Sequence, residues 1–173
     1  MLSILLLATA MLASSQSLAI GAVLPELRGE NLDGRSRALP AAAQGKIAFL
    51  TIAFSKRAGE HSRTWSERFS RDERPPANVT NYSIAMLEGV PRLLRGMIKS
   101  GIKRGVPAHF YDRFLIVTSE QAAWEKYLAV KDRDLPYLVV IDGEGRLQWK
   151  DQGAFDEEKY RELRTRITAL QRP

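Results

Sequence analysis

The sequence contains no cysteine and only two histidines in 173 residues. Without thiols the chain cannot form disulfides, bind zinc through thiolates, carry a lipid on an amino-terminal cysteine or catalyse thiol chemistry. His61 and His109 lie far apart, so a metal site would need distant carboxylates, and we expect neither a metal nor another cofactor. Any chemistry must therefore use carboxylates, hydroxyls, imidazoles and basic groups.

Side-chain charge is also missing from the amino terminus, where the first charged residue is Glu26. Residues 4–13 form an apolar run, well short of the ~20 residues that a spanning helix needs, and small polar residues follow it. This pattern predicts a signal peptide over residues 1–19, cleaved after Ser15 or Ala19, and hence a periplasmic or secreted protein. The run lacks a preceding Lys or Arg, so an uncleaved anchor or a buried amino-terminal helix is the alternative.

The remaining chain is basic and has the composition of one globular domain, which we place at residues 23–171. The whole sequence is 45% hydrophobic and 27% charged, and its 26 Lys and Arg against 20 Asp and Glu give a net charge of +6. This balance favours anionic partners. No helix-turn-helix, finger or RNA-recognition motif accompanies it, so we expect no nucleic-acid binding.

Hydrophobic periodicity predicts an α/β fold. A hairpin over residues 27–39 is followed by buried strands at 46–54, 79–87, 114–118 and 137–141 and an edge strand at 146–149. Helices are predicted from Gly59 to Ser70 and over 92–104. A third helix is predicted to follow a capping box of Thr118 and Gln121 and to end at about Val130, and a fourth to begin after Asp156. The alternation predicts a mixed central sheet with a parallel core, an amino-terminal hairpin and helices on both faces.

This order resembles the thioredoxin-like superfamily, especially its redoxin branch of peroxiredoxin-like and TlpA-like proteins, over residues 23–171. The resemblance rests on the opening at 25–54, on Leu135-Pro136, and on the closing hairpin around 139–149. It implies a thioredoxin-like fold with a cis peptide at Leu135–Pro136. Residues 113–170 are also similar to periplasmic YtfJ-type proteins and to mitochondrial ATP synthase assembly factors of thioredoxin-like fold.

The chain departs from that family at its reactive site. Redox-active members carry Cys-x-x-Cys at the amino end of the helix after the first long strand, and alignment on Phe54 puts Gly59 and Ser62 there. A helix amino terminus lowers a thiol's pKa, but glycine has nothing to ionise and serine cannot form a disulfide. Thiol oxidoreductase and peroxidase activities are therefore excluded.

The predicted function is an exported, non-redox domain that binds a protein partner, as an assembly or chaperone-type factor. Exposed backbone at a helix amino end suits extended peptides and anions. The predicted contact surface comprises Lys56, Arg57, Gly59, Glu60, His61, Ser62, Pro136 and Tyr137. The alternative is an enzyme, either a divergent redoxin with borrowed thiols or a hydrolase using His61 and Ser62, although His61 also fits a core stripe.

A basic helix is the second candidate surface. Its five cations, with no acid from Pro91 to Arg104, are Arg92, Arg95, Lys99, Lys103 and Arg104. Leu94, Met97, Ile98 and Ile102 are expected to face the sheet. Such a helix could contact an anionic membrane surface or an acidic partner, or it could be an ordinary solvated helix.

Overall fold

Seven strands and four helices follow the predicted order in the computed structural model, which describes residues 17–72 and 76–171. The strands are β1 (Leu27–Asn31), β2 (Ser36–Leu39), β3 (Ile47–Ala53), β4 (Val79–Met86), β5 (Phe114–Val117), β6 (Tyr137–Ile141) and β7 (Leu147–Gln152). The helices are α1 (Lys56–Arg71), α2 (Arg92–Gly105), α3 (Gln121–Leu128) and α4 (Glu157–Leu170).

The strands form one mixed sheet in the order β2-β1-β5-β4-β3-β6-β7. β3, β4 and β5 run parallel because helices connect them, whereas β6 and β7 form an antiparallel hairpin at one side. The hairpin of β1 and β2 extends the other side, with β1 antiparallel to β5. All seven residues of β3 are buried, as its continuous apolar run predicts. The predicted mixed sheet with its amino-terminal extension is confirmed.

The two faces of the sheet bury separate hydrophobic clusters. α1 and α4 cover one face with side chains such as Trp65 and Tyr160. α3 covers the opposite face with Trp124, together with the segment that precedes β1. α2 packs more lightly, through Ile98 and Ile102, on a small cluster beside β5. Helices therefore lie on both faces, as predicted.

The segment before β1 packs along the domain. Residues 1–16, most of the predicted signal peptide, lie outside the described residues. Leu18 is only 9% exposed, its N–H donates to the Tyr127 carbonyl at 2.9 Å, and its own carbonyl accepts from Lys150 Nζ at 2.7 Å. The packed chain therefore includes residues before position 23.

Two predicted helix starts are wrong because side chains cap these helices at other positions. α1 begins at Lys56 rather than Gly59, since the Ser55 hydroxyl caps it. α3 begins at Gln121, but Thr118 does not cap it. Instead a carboxylate from the end of β4 is the acceptor: Glu88 Oε2 accepts from the Gln121 N–H at 2.6 Å.

The predicted cis peptide at Leu135–Pro136 is also wrong, since that bond is trans and the cis bond lies at Leu39–Pro40. An X-Pro bond is trans by default, by about 0.5–1 kcal/mol. The loop before β6 is positioned by other contacts. The Gly153 N–H donates to the Pro136 carbonyl at 3.1 Å, and Asp134 is bonded to Ser55.

Asp72 ties the carboxyl end of α1 to α4. Its carboxylate accepts hydrogen bonds from the Tyr160 hydroxyl and the Arg68 guanidinium, and Arg164 Nε lies 3.6 Å away. Burial alone would raise the pKa of Asp72, but these partners outweigh it and hold the pKa below its usual range. Burial, and then the bonded carboxylate, raise the pKa of Tyr160, so its hydroxyl remains a donor.

Replacing Asp72 by Asn should lower the free energy of unfolding at neutral pH by about 2 kcal/mol, because a charged acceptor is lost. The folded-state pKa of Asp72 is lowered, so its stabilisation is complete above the ordinary carboxyl pKa of about 3.9. That stabilisation is lost as the pH falls through the lower folded value. Urea unfolding across the acid range should therefore give a shallower loss of stability for D72N than for the wild type.

Glu67→Gln is the matched control, because Glu67 is an exposed ion-pair partner of Arg63 and Arg71 on the same helix. It should change the free energy of unfolding by less than about 1 kcal/mol and leave the dependence of stability on pH in the acid range unchanged. Identical slopes for D72N and the wild type would contradict the role assigned to Asp72.

Candidate functional site

α1 begins at the carboxyl end of the central strand β3. Ser55 is its N-cap, with an extended backbone and an Oγ atom that accepts a hydrogen bond from the Ala58 N–H at 3.1 Å. The same hydroxyl donates to Asp134 Oδ1 at 2.8 Å. Because Asp134 belongs to the loop before β6, this bond joins the helix amino end to the Pro136 loop.

The Asp134 carboxylate lies at the electropositive end of α1. The first backbone N–H groups of a helix have no intrahelical acceptor and carry partial positive charge. Asp134 Oδ2 also lies 4.0 Å from the Arg57 guanidinium, and the Asp134 N–H donates to Asp132 Oδ1 at 2.8 Å. The Asp134 carboxylate is thus an internal anion at the helix end where the sequence predicts that an anion or peptide from outside could bind.

The observed start of α1 changes which residues are compared with the reactive site of redox-active thioredoxin-like proteins. Their Cys-x-x-Cys stands at the amino end of this helix, and that end holds Ser55 and the buried Ala58 here. Gly59 and Ser62, the positions aligned from sequence, lie farther along α1 because the helix begins earlier than predicted. A hydroxyl and a methyl group cannot exchange disulfides, so neither this pair of positions nor the pair aligned from sequence carries thiol chemistry.

The predicted contact residues differ in exposure. Lys56, Arg57 and Glu60 are exposed, Gly59 and His61 are half-buried, and Ser62, Pro136 and Tyr137 are buried. The buried members offer little side-chain surface to a partner. Tyr137 instead packs edge-on against Phe54, with ring centres 5.9 Å apart, and its hydroxyl accepts from the Lys131 N–H at 2.7 Å. Tyr137 therefore shapes the loop from inside.

The exposed part of this region is a small mixed-charge surface, here called the α1 amino-end surface. It consists of Lys56, Arg57 and Glu60 of α1 with Asp132, Arg133 and Asp134 of the loop. The hydrogen bond between Ser55 and Asp134 joins its two halves. It presents both signs of charge, which suits a polar protein segment better than a simple anion.

The geometry does not support a hydrolase built on His61 and Ser62. Adjacent helical residues point about 100° apart, so these side chains do not face each other. Ser62 is 5% exposed on the sheet side of α1, while His61 is half-buried beside it. His109 is exposed in the 3-10 turn Ala108–Arg113. Across residues 17–72 and 76–171, no three His, Asp or Glu side chains are grouped as metal ligands.

Sequence reasoning missed two polar features at this site. One is the Ser55–Asp134 bond, although a serine between an apolar strand and a helix is an N-cap signal. The other is a buried hydroxyl cluster under α1, in which Ser83 Oγ lies 2.9 Å from Ser66 Oγ and 3.3 Å from Thr51 Oγ1. This cluster satisfies buried polar groups and holds α1 against the sheet.

The basic helix α2 has no fully buried residue. Lys99 forms an ion pair with Glu30 of β1, and the Arg95 guanidinium donates to the Val90 carbonyl at 2.8 Å. In the part of the chain that the structure describes, Arg92 and Arg104 have no carboxylate within 4.0 Å. The five predicted cations therefore include groups that the protein does not neutralise.

Part of the apolar side of α2 is uncovered. Leu93 is 95% exposed, Met97 66% and Leu94 45%. The expected packing holds for Ile98 and Ile102 but is wrong for Leu94 and Met97, because the cluster beneath this helix is small and reaches only the two isoleucines. No helix in the described ranges is both long and apolar enough to cross a membrane.

Comparison with solved structures shows that this chain has a thioredoxin-like fold. It is similar to a protein described as the thiol:disulfide interchange protein DsbE from Chlorobium tepidum, with a TM-score of 0.64, 17% identity, and coverage of 89% of this chain and 99% of that one. A thiol peroxidase from Chromobacterium violaceum matches with a TM-score of 0.55 and 13% identity, over 87% of this chain and 88% of that one. BsSco, of the Sco family of cytochrome c oxidase assembly proteins, matches with a TM-score of 0.57 and 11% identity, over 90% of this chain and 99% of that one. These identities show the fold alone, which is the predicted thioredoxin-like fold.

No curated protein sequence matches this chain significantly. The family model described as "ATP10 protein" matches residues 15–170, which is most of the chain. ATP10 is an assembly-factor family, in agreement with the predicted similarity to assembly factors of thioredoxin-like fold. The chain therefore belongs to the ATP10 protein family.

Proposed function

We propose that this protein is an exported, non-redox assembly factor whose thioredoxin-like domain acts by binding a partner protein. The observation that carries the proposal is the state of the α1 amino end. Ser55 caps the helix end at which redox-active members of the fold carry their thiols, and its hydroxyl is held between the Ala58 N–H and the Asp134 carboxylate. A group held this way supports structure and cannot cycle electrons. Membership of an assembly-factor family supports the same function.

The partner is proposed to bind at the α1 amino-end surface. Its exposed side chains carry both signs of charge, so a polar segment of complementary charge would form several weak contacts at once. Mixed charge gives specificity and correct orientation more than raw affinity. This fits an assembly factor, which must release its client when assembly is complete.

Restoring thiols tests whether the α1 amino end is the former reactive site. The double variant Ser55→Cys with Ala58→Cys should catalyse reduction of insulin disulfides, because a thiol at the helix amino end has a lowered pKa. The matched control is Gly59→Cys with Ser62→Cys, at the positions aligned from sequence, and it should be inactive. Equal activity of the two variants, or activity of the control alone, would refute the assignment of Ser55 and Ala58.

Gene replacement in the native host tests the proposed function. We expect loss of the gene to reduce the amount of assembled ATP synthase on native gels, because the family resemblance is to ATP synthase assembly factors. The wild type should restore assembly, since the proposed function requires no thiol reaction. Lys56→Glu with Arg57→Glu should not restore it, while Arg161→Glu with Arg166→Glu on α4 serves as the matched control. Normal assembly without the gene would reject the proposal.

Export is the remaining part of the proposal, and the packing favours cleavage after Ser15 over cleavage after Ala19. Cleavage after Ser15 keeps Leu18, whose side chain is buried and whose backbone bonds to Tyr127 and Lys150. Cleavage after Ala19 would remove these contacts. Mass spectrometry of the exported protein should therefore find Gln16 as the first residue. A chain recovered intact in the cytosol would contradict export.

A further inference from the structure

We propose that α2 lies flat on an anionic membrane surface, with Leu93 and Met97 inserted among the lipid headgroups. This contact is additional to the partner-binding surface and does not depend on it. It rests on the uncovered apolar side chains of α2, on the arrangement of its cations, and on the shape of the surface they form.

The apolar ridge of α2 points away from the protein. Leu93, Met97, Ser100 and Arg104 follow the spacing i, i+4, i+7 and i+11, which places them along one side of a helix. Leu93 is 95% exposed and Met97 is 66% exposed, whereas Ile98, on the other side, packs on the domain. The domain therefore anchors α2 by one side and presents the other.

The cations of α2 surround this ridge. Arg92 and Arg104 stand near its two ends without a carboxylate partner within 4.0 Å in the described ranges, and α2 itself contains no acid. On the flank toward β1, Arg95 and Lys99 line a groove of about 440 Å³. Lys99 pairs with Glu30 in that groove, whereas Arg92 and Arg104 keep their charge. Apolar side chains bordered by cations are the pattern of helices that lie in the plane of an anionic bilayer.

The shape of the ridge disfavours protein occupants. A second copy of this chain would bring two acid-free cationic helices together, and like charges across an interface repel. The ridge is convex and consists of few side chains, whereas a stable protein interface buries about 800 Å² on each partner. A lipid headgroup region is deformable and negatively charged, so it can surround a convex ridge and neutralise its border.

The absence of cysteine allows a single fluorescent reporter on the full-length chain. Ser100→Cys, labelled with an environment-sensitive dye, places the reporter on the ridge beside intact Leu93 and Met97. With vesicles that contain phosphatidylglycerol its emission should shift to the blue, and with pure phosphatidylcholine vesicles it should not. The matched control is the same dye at Thr165→Cys, an exposed position on α4, which should show no shift.

Vesicle co-flotation separates the contribution of the cations to binding from that of the inserted apolar side chains. Arg92→Gln with Arg104→Gln should weaken binding to anionic vesicles by about 25-fold, at about fivefold for each charge. Leu93→Ser with Met97→Ser should weaken it by about tenfold or more, because the inserted side chains are lost. Arg161→Gln with Arg166→Gln removes two exposed charges from α4 and should have little effect. All four side chains changed on α2 are exposed, so circular dichroism should show unchanged folding.

Several results would overturn the proposal. No blue shift at position 100 would do so, and it would leave an acidic protein segment as the occupant of the ridge. Binding unaffected by both α2 variants would show that another part of the chain associates with the vesicles. Rapid disulfide formation between two Ser100→Cys chains would point to a second copy. None of these results bears on ATP synthase assembly or on the α1 amino-end surface, so the two proposals fail independently.

Discussion

The pairing of β3 with β6 is the constraint on which the site depends. The two strands are antiparallel, with Ile52 opposite Tyr137, so the loop before β6 returns to the point where β3 ends and α1 begins. The side chain of Asp134 therefore reaches Ser55 although 79 residues separate them. β3 itself is fixed because every residue in it is buried. A shift of this register by one residue would reverse the faces of β6 and separate the loop from the helix.

This arrangement explains how a fold common among disulfide-exchange proteins can serve without exchange. The end of a parallel strand followed by a helix amino terminus stabilises negative charge, whether that charge is a thiolate or a carboxylate. In this protein an internal carboxylate, Asp134, lies beside that helix end, bonded to Ser55 and close to Arg57. The helix end still stabilises negative charge, but it carries no thiol sulfur. The solved neighbours share the fold at low identity, as expected when sheet pairing rather than chemistry defines the fold.

Uneven packing of the helices separates the stable part of the molecule from its exposed part. α1 and α4 bury large aromatic side chains and are joined by the Asp72 network. α2 covers only a small cluster and leaves Leu93 and Met97 in solvent. Exposed apolar side chains near unpaired cations have no role in folding, since they gain nothing from burial. They are the residues that a surface contact can use.

The sequence by itself determined the element order, the mixed sheet, the two-sided burial of β3 and the absence of thiol chemistry, because composition and periodicity are local properties. The residues at which helices begin were harder to predict from the sequence, since the caps of α1 and α3 depend on which acceptor is nearest in space. Only the tertiary structure decided that Asp134 reaches Ser55, that Leu135–Pro136 is trans and that Met97 is exposed. Each of these depends on strand register or on the width of the surface beneath a helix, and neither quantity is set by neighbouring residues in the chain.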